Sequence, residues 1–159
     1  MQRSQTLFLL AAFFLSLLLL TGHIARFSTD AGERVVETEL KYNGLYILDA
    51  NGDAKRQDLA TWPITVLFSV LALLSFLNIF FYRNRMRQMR VCVFLMLLYA
   101  GAEGLMFYYA WVAGSGEAEH TTQYLWRFVL PPVAIILSYL ALRRIRRDEL
   151  LVKAYDRIR

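Results

Sequence analysis

The chain has 159 residues, of which 57% are hydrophobic, 14% aromatic and only 19% charged, against roughly 45–50% apolar and about 25% charged in an ordinary globular domain. The apolar residues lie in long uncharged blocks, which argues against a water-soluble core and for a single membrane domain. The net charge of +5 is clustered beside those blocks, so it reads as membrane topology and not as a nucleic-acid surface. One cysteine, Cys92, excludes an internal disulfide and any CxxC chemistry.

The first span is placed at residues 6–22. Nineteen residues between Arg3 and His23 carry no charge, enough to cross a hydrocarbon layer of about 30 Å at about 1.5 Å per residue. A cleaved signal peptide is the competing reading. The run is longer than the usual h-region of about 7–15 residues, and His23 stands near the exit, where a small residue is expected. A retained span is therefore favoured.

Residues 23–61 form an outer loop with seven acidic and five basic residues. Its period-two pattern sets Val36, Thr38, Leu40 and Tyr42 against Glu37, Glu39 and Lys41. Asn43-Gly44 then signals a type I′ hairpin turn before Leu45 to Leu48. A hairpin or three-stranded meander is expected, leaning on the helices because two strands alone are marginal in water. Asp49, Asn51 and Asp53 imitate the start of a calcium loop. The positions that need Gly and Glu hold Ala54 and Ala60, so a plain turn is preferred.

Span two is assigned to residues 62–82, within 24 uncharged residues from Leu59 to Tyr82. Trp62-Pro63 marks its outer end, with proline in the first turn, where its missing N–H is not needed. Arg83, Arg85, Arg87 and Arg90 follow in an octapeptide, residues 83–90, read as a tight turn and as candidate contacts for lipid headgroups. Span three occupies residues 91–113 and ends in Tyr108, Tyr109 and Trp111. A loop at 114–124 has two acids and no Lys or Arg.

Span four covers residues 125–142. Its charge-free part, Phe128 to Leu142, is about 22 Å long as a helix, so Arg127 is expected to snorkel at the outer interface. Pro131-Pro132 is expected to kink the span. In the tail, residues 143–159, Leu151, Ala154, Tyr155 and Ile158 share one helical face. That makes an amphipathic helix on the inner membrane surface or a candidate face for docking a partner.

Arg3, the four turn arginines and seven basic residues of the tail lie on one side. Five in the long loop, offset by seven acids, lie on the other. The positive-inside rule places both termini and the basic turn in the cytoplasm.

Four stretches carry a family resemblance: Gln2-Arg3-Ser4-Gln5-Thr6-Leu7-Phe8-Leu9-Leu10, Thr61-Trp62-Pro63, Asn84-Arg85-Met86-Arg87-Gln88-Met89-Arg90-Val91-Cys92, and the tail from Asp148 through Tyr155 to Arg159. In order and spacing the chain resembles, over essentially its whole length, a Bacteroidetes family of four-span membrane proteins described as domain of unknown function 4293. The resemblance implies a multi-pass protein of a Gram-negative inner membrane. It implies no activity, cofactor or catalytic residue.

Glu103 is the one ionisable residue deep in a span, where a charge is costly and a function or a pairing is the default expectation. It shares a helix face with Met96, Tyr99, Ala100, Met106, Phe107 and Ala110, and Ala100 with Gly104 forms a small-xxx-small pair. Ser16, Ser69, Ser75, Ser138 and Tyr139 lie at similar depth as possible hydrogen-bond partners. Arg127 is about a dozen ångströms higher by helical rise and would reach Glu103 only by turning inward. A protonated Glu103 bonded across helices, a proton or cation relay, and a contact with a partner's span all remain open. Asn78 reads as contact between helices, Cys92 as a small packing residue, and His23 and His120 as surface histidines without ligand spacing.

No nucleophile with its base, carboxylate pair or metal set is present in the sequence pattern, and no cofactor is expected. The expected fold is an all-α membrane protein: a four-transmembrane-helix antiparallel bundle with a small periplasmic β-hairpin or meander and a C-terminal amphipathic cytoplasmic helix. The expected function is a non-enzymatic accessory or assembly subunit in the bacterial inner membrane. Its partners are the bilayer and a second membrane protein or a further copy of itself, with no nucleic acid. The alternative is a small oligomeric transporter or proton-coupled carrier using Glu103.

Overall fold

The computed structural model describes residues 3–30, 35–48, 54–57, 61–114 and 120–158. Four helices carry most of them: α1 Arg3–Leu19, α2 Trp62–Phe80, α3 Arg85–Gly114 and α4 Leu130–Ile158. α1 packs on α2 and α4, and α3 packs on the same two. Among the described residues, three segments are long and apolar enough to cross a membrane: 62–80, 85–113 and 126–151. Only 33%, 28% and 39% of their most apolar windows is buried inside the protein. The remainder, with Val70, Leu73 and Phe76 on α2 or Val133 and Ile136 on α4, faces outward, which an aqueous surface would not tolerate. α1 is a shorter apolar helix, about 25 Å long at its 17 residues.

The interior is mostly apolar but also holds polar side chains. Ser16, Ser75, Asn78, Gln88 and Ser138 are buried. Apolar side chains gain little from leaving lipid, so helices there associate through packing and internal hydrogen bonds.

At one end the chain forms a five-stranded antiparallel sheet in the order β4-β3-β2-β1-β5. Its strands are β1 His23–Asp30, β2 Val35–Lys41, β3 Gly44–Leu48, β4 Ala54–Gln57 and β5 His120–Tyr124. This is larger than the expected hairpin or meander. β1 starts directly after α1, and β5 turns the short second loop into an edge strand paired with β1 from Ala25↔Tyr124 to Thr29↔His120. The β2–β3 turn also falls one residue earlier than expected. Lys41 pairs with Gly44, leaving Tyr42 and Asn43 at the corner. Neither has positive φ, so the turn is not type I′. The calcium-like stretch 49–53 lies outside the described residues. Ile24, Ala25, Phe27, Leu40 and Leu45 join Leu19, Ile64, Phe68 and Met106 in one apolar core, and Thr65 donates a hydrogen bond to the Tyr42 carbonyl. The sheet thus rests on the helix ends.

Three further expectations are corrected. The basic octapeptide is not a loop: after a short 3-10 turn at Phe81–Arg83, α3 already begins at Arg85. Arginine is a good helix former, and spacings of two and three residues spread its charges around the cylinder. The tail is not a separate helix on a surface, because α4 runs unbroken to Ile158; no Gly or Pro interrupts residues 133–158. The prolines do not kink a span either. A 3-10 turn at Trp126–Val129 precedes α4, so Pro131 and Pro132 lie in its first turn, where N–H groups have no intrahelical partner in any case. The Arg127 carbonyl accepts from the Leu130 N–H instead.

Candidate functional site

Helix α3 brings two polar side chains to the middle of the helical layer, one turn apart. Tyr99 is fully buried. Its hydroxyl lies 2.6 Å from Ser16 Oγ and 2.9 Å from Ser75 Oγ. The serine oxygens are 3.3 Å apart, and Ser16 donates to the Ala12 carbonyl at 2.9 Å. Three helices, α1, α2 and α3, are thereby tied at one point, each hydroxyl having a partner.

Glu103 has no such partner. Its Oε2 is sealed from solvent and makes no hydrogen bond, although the side chain as a whole is only partly buried. The hydroxyls at its depth are engaged elsewhere: Ser16 and Ser75 with Tyr99, and Ser69 with the Thr65 carbonyl. Ser138 Oγ is buried and itself unpartnered, and Tyr139 is exposed. The small-residue pair is also uncovered. Ala100, Gly101 and Gly104 are exposed, and a Cβ built on either glycine would meet nothing within 4 Å. They lie between exposed Leu97, Tyr108 and Trp111. Among the described residues, no helix occupies the strip that the pair would admit.

Arg127 turns away from Glu103. Its Nη1 donates to the His23 carbonyl at 3.0 Å and its guanidinium stacks on Trp126, 4.8 Å from the ring. Gly22 lets it pass: φ is +72°, and a Cβ there would run into the guanidinium. A left-handed turn and a close approach thus both require glycine. Beside it lies a second acid, which the period-two pattern had set opposite Val36, Thr38, Leu40 and Tyr42. Glu39 is nearly buried, with Oε2 3.0 Å from His23 Nε2 and 3.5 Å from Lys41 Nζ, and Oε1 2.9 Å from Arg26 Nη2. Strand register sets Arg26 opposite Glu39. Burial holds His23 below its ordinary pKa of 6.5; Glu39 pulls the other way, while Lys41, Arg26 and Arg127 add to the depression. A neutral His23 donating from Nε2 fits that environment. His120 lies on β5 opposite Thr29, its side chain outside the described residues.

At the opposite end, Asn78 Nδ2 donates to Cys92 Sγ at 3.2 Å, and Gln88 Nε2 to the Asn78 carbonyl at 3.3 Å. Both bonds link α2 to α3. Arg85, Arg87 and Arg90 lie on the first turns of α3; the Arg83 side chain is outside the described residues. Arg144 lies over the Phe8 ring at 5.6 Å. Leu151 is exposed. Ala154, Tyr155 and Ile158 follow on α4, with side chains outside the described residues, as is the case for the rest of that candidate docking face.

Sequence reasoning thus located Glu103 and the small-residue strip, and missed the Glu39 cluster and the Tyr99 tie. The period-two pattern did bring Glu39 and Lys41 to one face. Nothing local showed that β1 would pair beside β2 and bring Arg26 and His23 to Glu39.

No curated protein matches the chain. The family described as domain of unknown function (DUF4293) matches residues 1–158, and the chain belongs to that family.

Proposed function

We propose that this is a non-enzymatic integral inner-membrane protein serving as an accessory or assembly subunit, in which α3 presents Glu103 and its small-residue strip to a transmembrane helix of another chain. All four helices cross the membrane as an antiparallel bundle. Both termini and the arginine-rich end lie in the cytoplasm and the sheet in the periplasm, as the distribution of Lys and Arg favours. α1 is the shortest of the four, and Leu20 and Thr21 extend its apolar reach.

The observation that carries the reading is the unpartnered Glu103 oxygen beside an uncovered strip. An intramembrane acid is expensive unless paired, and among the described residues Ser16, Ser69 and Ser75 are bonded elsewhere, Tyr139 is exposed, and Ser138 makes no bond to it. A helix from outside could approach the strip closely and supply a donor. The alternative, a small oligomeric carrier that protonates Glu103, draws on the same oxygen and on unpartnered Ser138. It requires several copies, because few polar side chains line any one.

The test is extraction of the tagged full chain from its native membrane in mild detergent, followed by mass spectrometry of co-purifying chains. The reading predicts a stoichiometric membrane partner that Glu103→Gln weakens. A homo-oligomer alone, with proton-dependent flux that Glu103→Gln abolishes, would move the assignment to the carrier.

A further inference from the structure

The arginine-rich end holds a feature that the reading above does not use. Between the first turns of α3 and the C-terminal half of α4 runs a groove of about 450 Å³. Met89, Val93 and Leu142 form its apolar wall, and Arg90, Arg146 and Glu149 are set along it. The wall is anchored, since Met89 and Leu142 pack on the closed cluster of Leu9, Cys92, Ala141 and Ile145. Volumes of several hundred cubic ångströms are typical of small-molecule sites.

The charges sit where the apolar segments end. Arg90 directly precedes the uncharged run that opens at Val91, and Arg146 lies one turn beyond Leu142, the last residue of the run in α4. Both arginines are exposed, and no ion pair to either is found among the described residues. Going inward, Met86, Glu149 and Leu150 line its outer rim, Met89, Arg90 and Arg146 lie about one turn deeper, and the deepest part, at Val93 and Leu142, is apolar. A molecule that matches this profile has an anionic head and a hydrocarbon body. Arginine suits a phosphodiester because its planar fork donates two parallel hydrogen bonds, and methionine adapts its shape to a mobile chain. A free phosphate would leave the apolar wall unused. A zwitterionic lipid would bring its own cation against the two guanidinium groups.

The geometry points to a binding site for one anionic phospholipid in the α3–α4 groove, with Arg90 and Arg146 on the phosphate and Val93 and Leu142 on the upper part of an acyl chain. This rests on the membrane-spanning reading of the helices. Glu149 sets the selectivity, because its charge disfavours heads that carry more than one negative group and no cation.

The experiment is native mass spectrometry of the full chain in neutral detergent, titrated with phosphatidylglycerol and with phosphatidylcholine of the same acyl chains. One phosphatidylglycerol is retained in preference to phosphatidylcholine, each arginine contributing roughly fivefold and the pair about twenty-fivefold. The double change Arg90→Gln with Arg146→Gln removes the preference. Arg87→Gln with Arg143→Gln takes the same charge from the same end, outside the groove, and leaves the preference standing. Val93→Trp, at an exposed position, crowds the wall and lowers binding with both arginines intact, and Glu149→Gln raises it. Equal retention of the two lipids overturns the site, as does equal loss in the two arginine pairs, which would mean a diffuse basic surface. Carbonate extraction of membranes separates the two readings. A chain released by carbonate refutes the spanning helices, whereas a chain that stays and shows no preference refutes the groove alone.

Discussion

Glu39 is buried and Glu103 partly buried, and their surroundings are opposite. Glu39, at the sheet end, has His23, Arg26 and Lys41 around its two oxygens. Glu103, in the helical layer, has an oxygen with no partner at all. The same side chain is completed by its own fold in one place and left open in the other. An acid paired within its own chain is costly to remove, because its partners are then stranded; an acid left open within a membrane layer calls for something from outside. The contrast separates structure from function more sharply than burial alone, since Glu39 is the more buried of the two.

The largest effect is expected at Glu39. Glu39→Ala strands three groups that were arranged about it. Because Arg26, Lys41 and His23 are each about a third exposed or more, they can turn to water, and the cost should be roughly 1–3 kcal/mol and not the larger penalty of a sealed pair. Thermal unfolding in detergent would show it as a lowered melting temperature. A melting temperature equal to that of the parent chain would mean that the cluster is a surface arrangement only. Tyr99→Phe comes next. It removes hydroxyl contacts that join three helices, worth about 0.6 to 1.7 kcal/mol for such bonds in membranes, with the ring still filling its place. The same unfolding assay reads it.

A smaller effect is expected from pH at His23. Burial lowers its pKa below 6.5 in the folded chain, so as pH falls the unfolded chain takes up the proton first. Stability is therefore full above about 6.5 and declines as pH falls through the window toward the lower folded value. His23→Gln should flatten that slope between pH 5 and 7 in the same unfolding assay. A slope unchanged by the substitution would assign it to other groups. Glu103→Gln should move the melting temperature of the isolated chain least of all, since no internal bond is lost. A large destabilisation there would erase the contrast between the two glutamates.

Much of the architecture was legible because a bilayer imposes a coarse rule: long uncharged runs become helices, and the runs ending at Tyr82, Ala113 and Leu142 do lie on helices. Helix ends were less legible. The arginines at 85–90 looked like a turn on charge density, but a helix leaving the hydrocarbon layer needs no turn until its backbone bonds run out. Pro131-Pro132 looked like a kink because the start of α4 was placed five residues too early; a proline's meaning depends on its distance from the first turn. β5 was illegible because its partner, β1, lies about a hundred residues away in the chain, and the stretch His120 to Tyr124 carries no turn signal or alternation of its own. The cluster at Glu39 was hidden for a related reason. Period two tells which side chains share a face and leaves open which strand pairs beside it. Glu103 was visible in the sequence as the one acid in a long apolar run, but its isolation emerged only when Ser16 and Ser75 proved to be committed to Tyr99.

The most direct test of the central claim is photo-crosslinking in the native membrane from the two flanks of the small-residue strip. A photoreactive residue replaces Leu97 or Tyr108 on α3, with Ile136 on the outward face of α4 as the control. All three positions are exposed in the isolated chain. The account predicts a discrete protein adduct from positions 97 and 108, weakened by Glu103→Gln, and none from 136. Adducts with lipid alone at all three positions would contradict it and leave Glu103 without a partner in any chain.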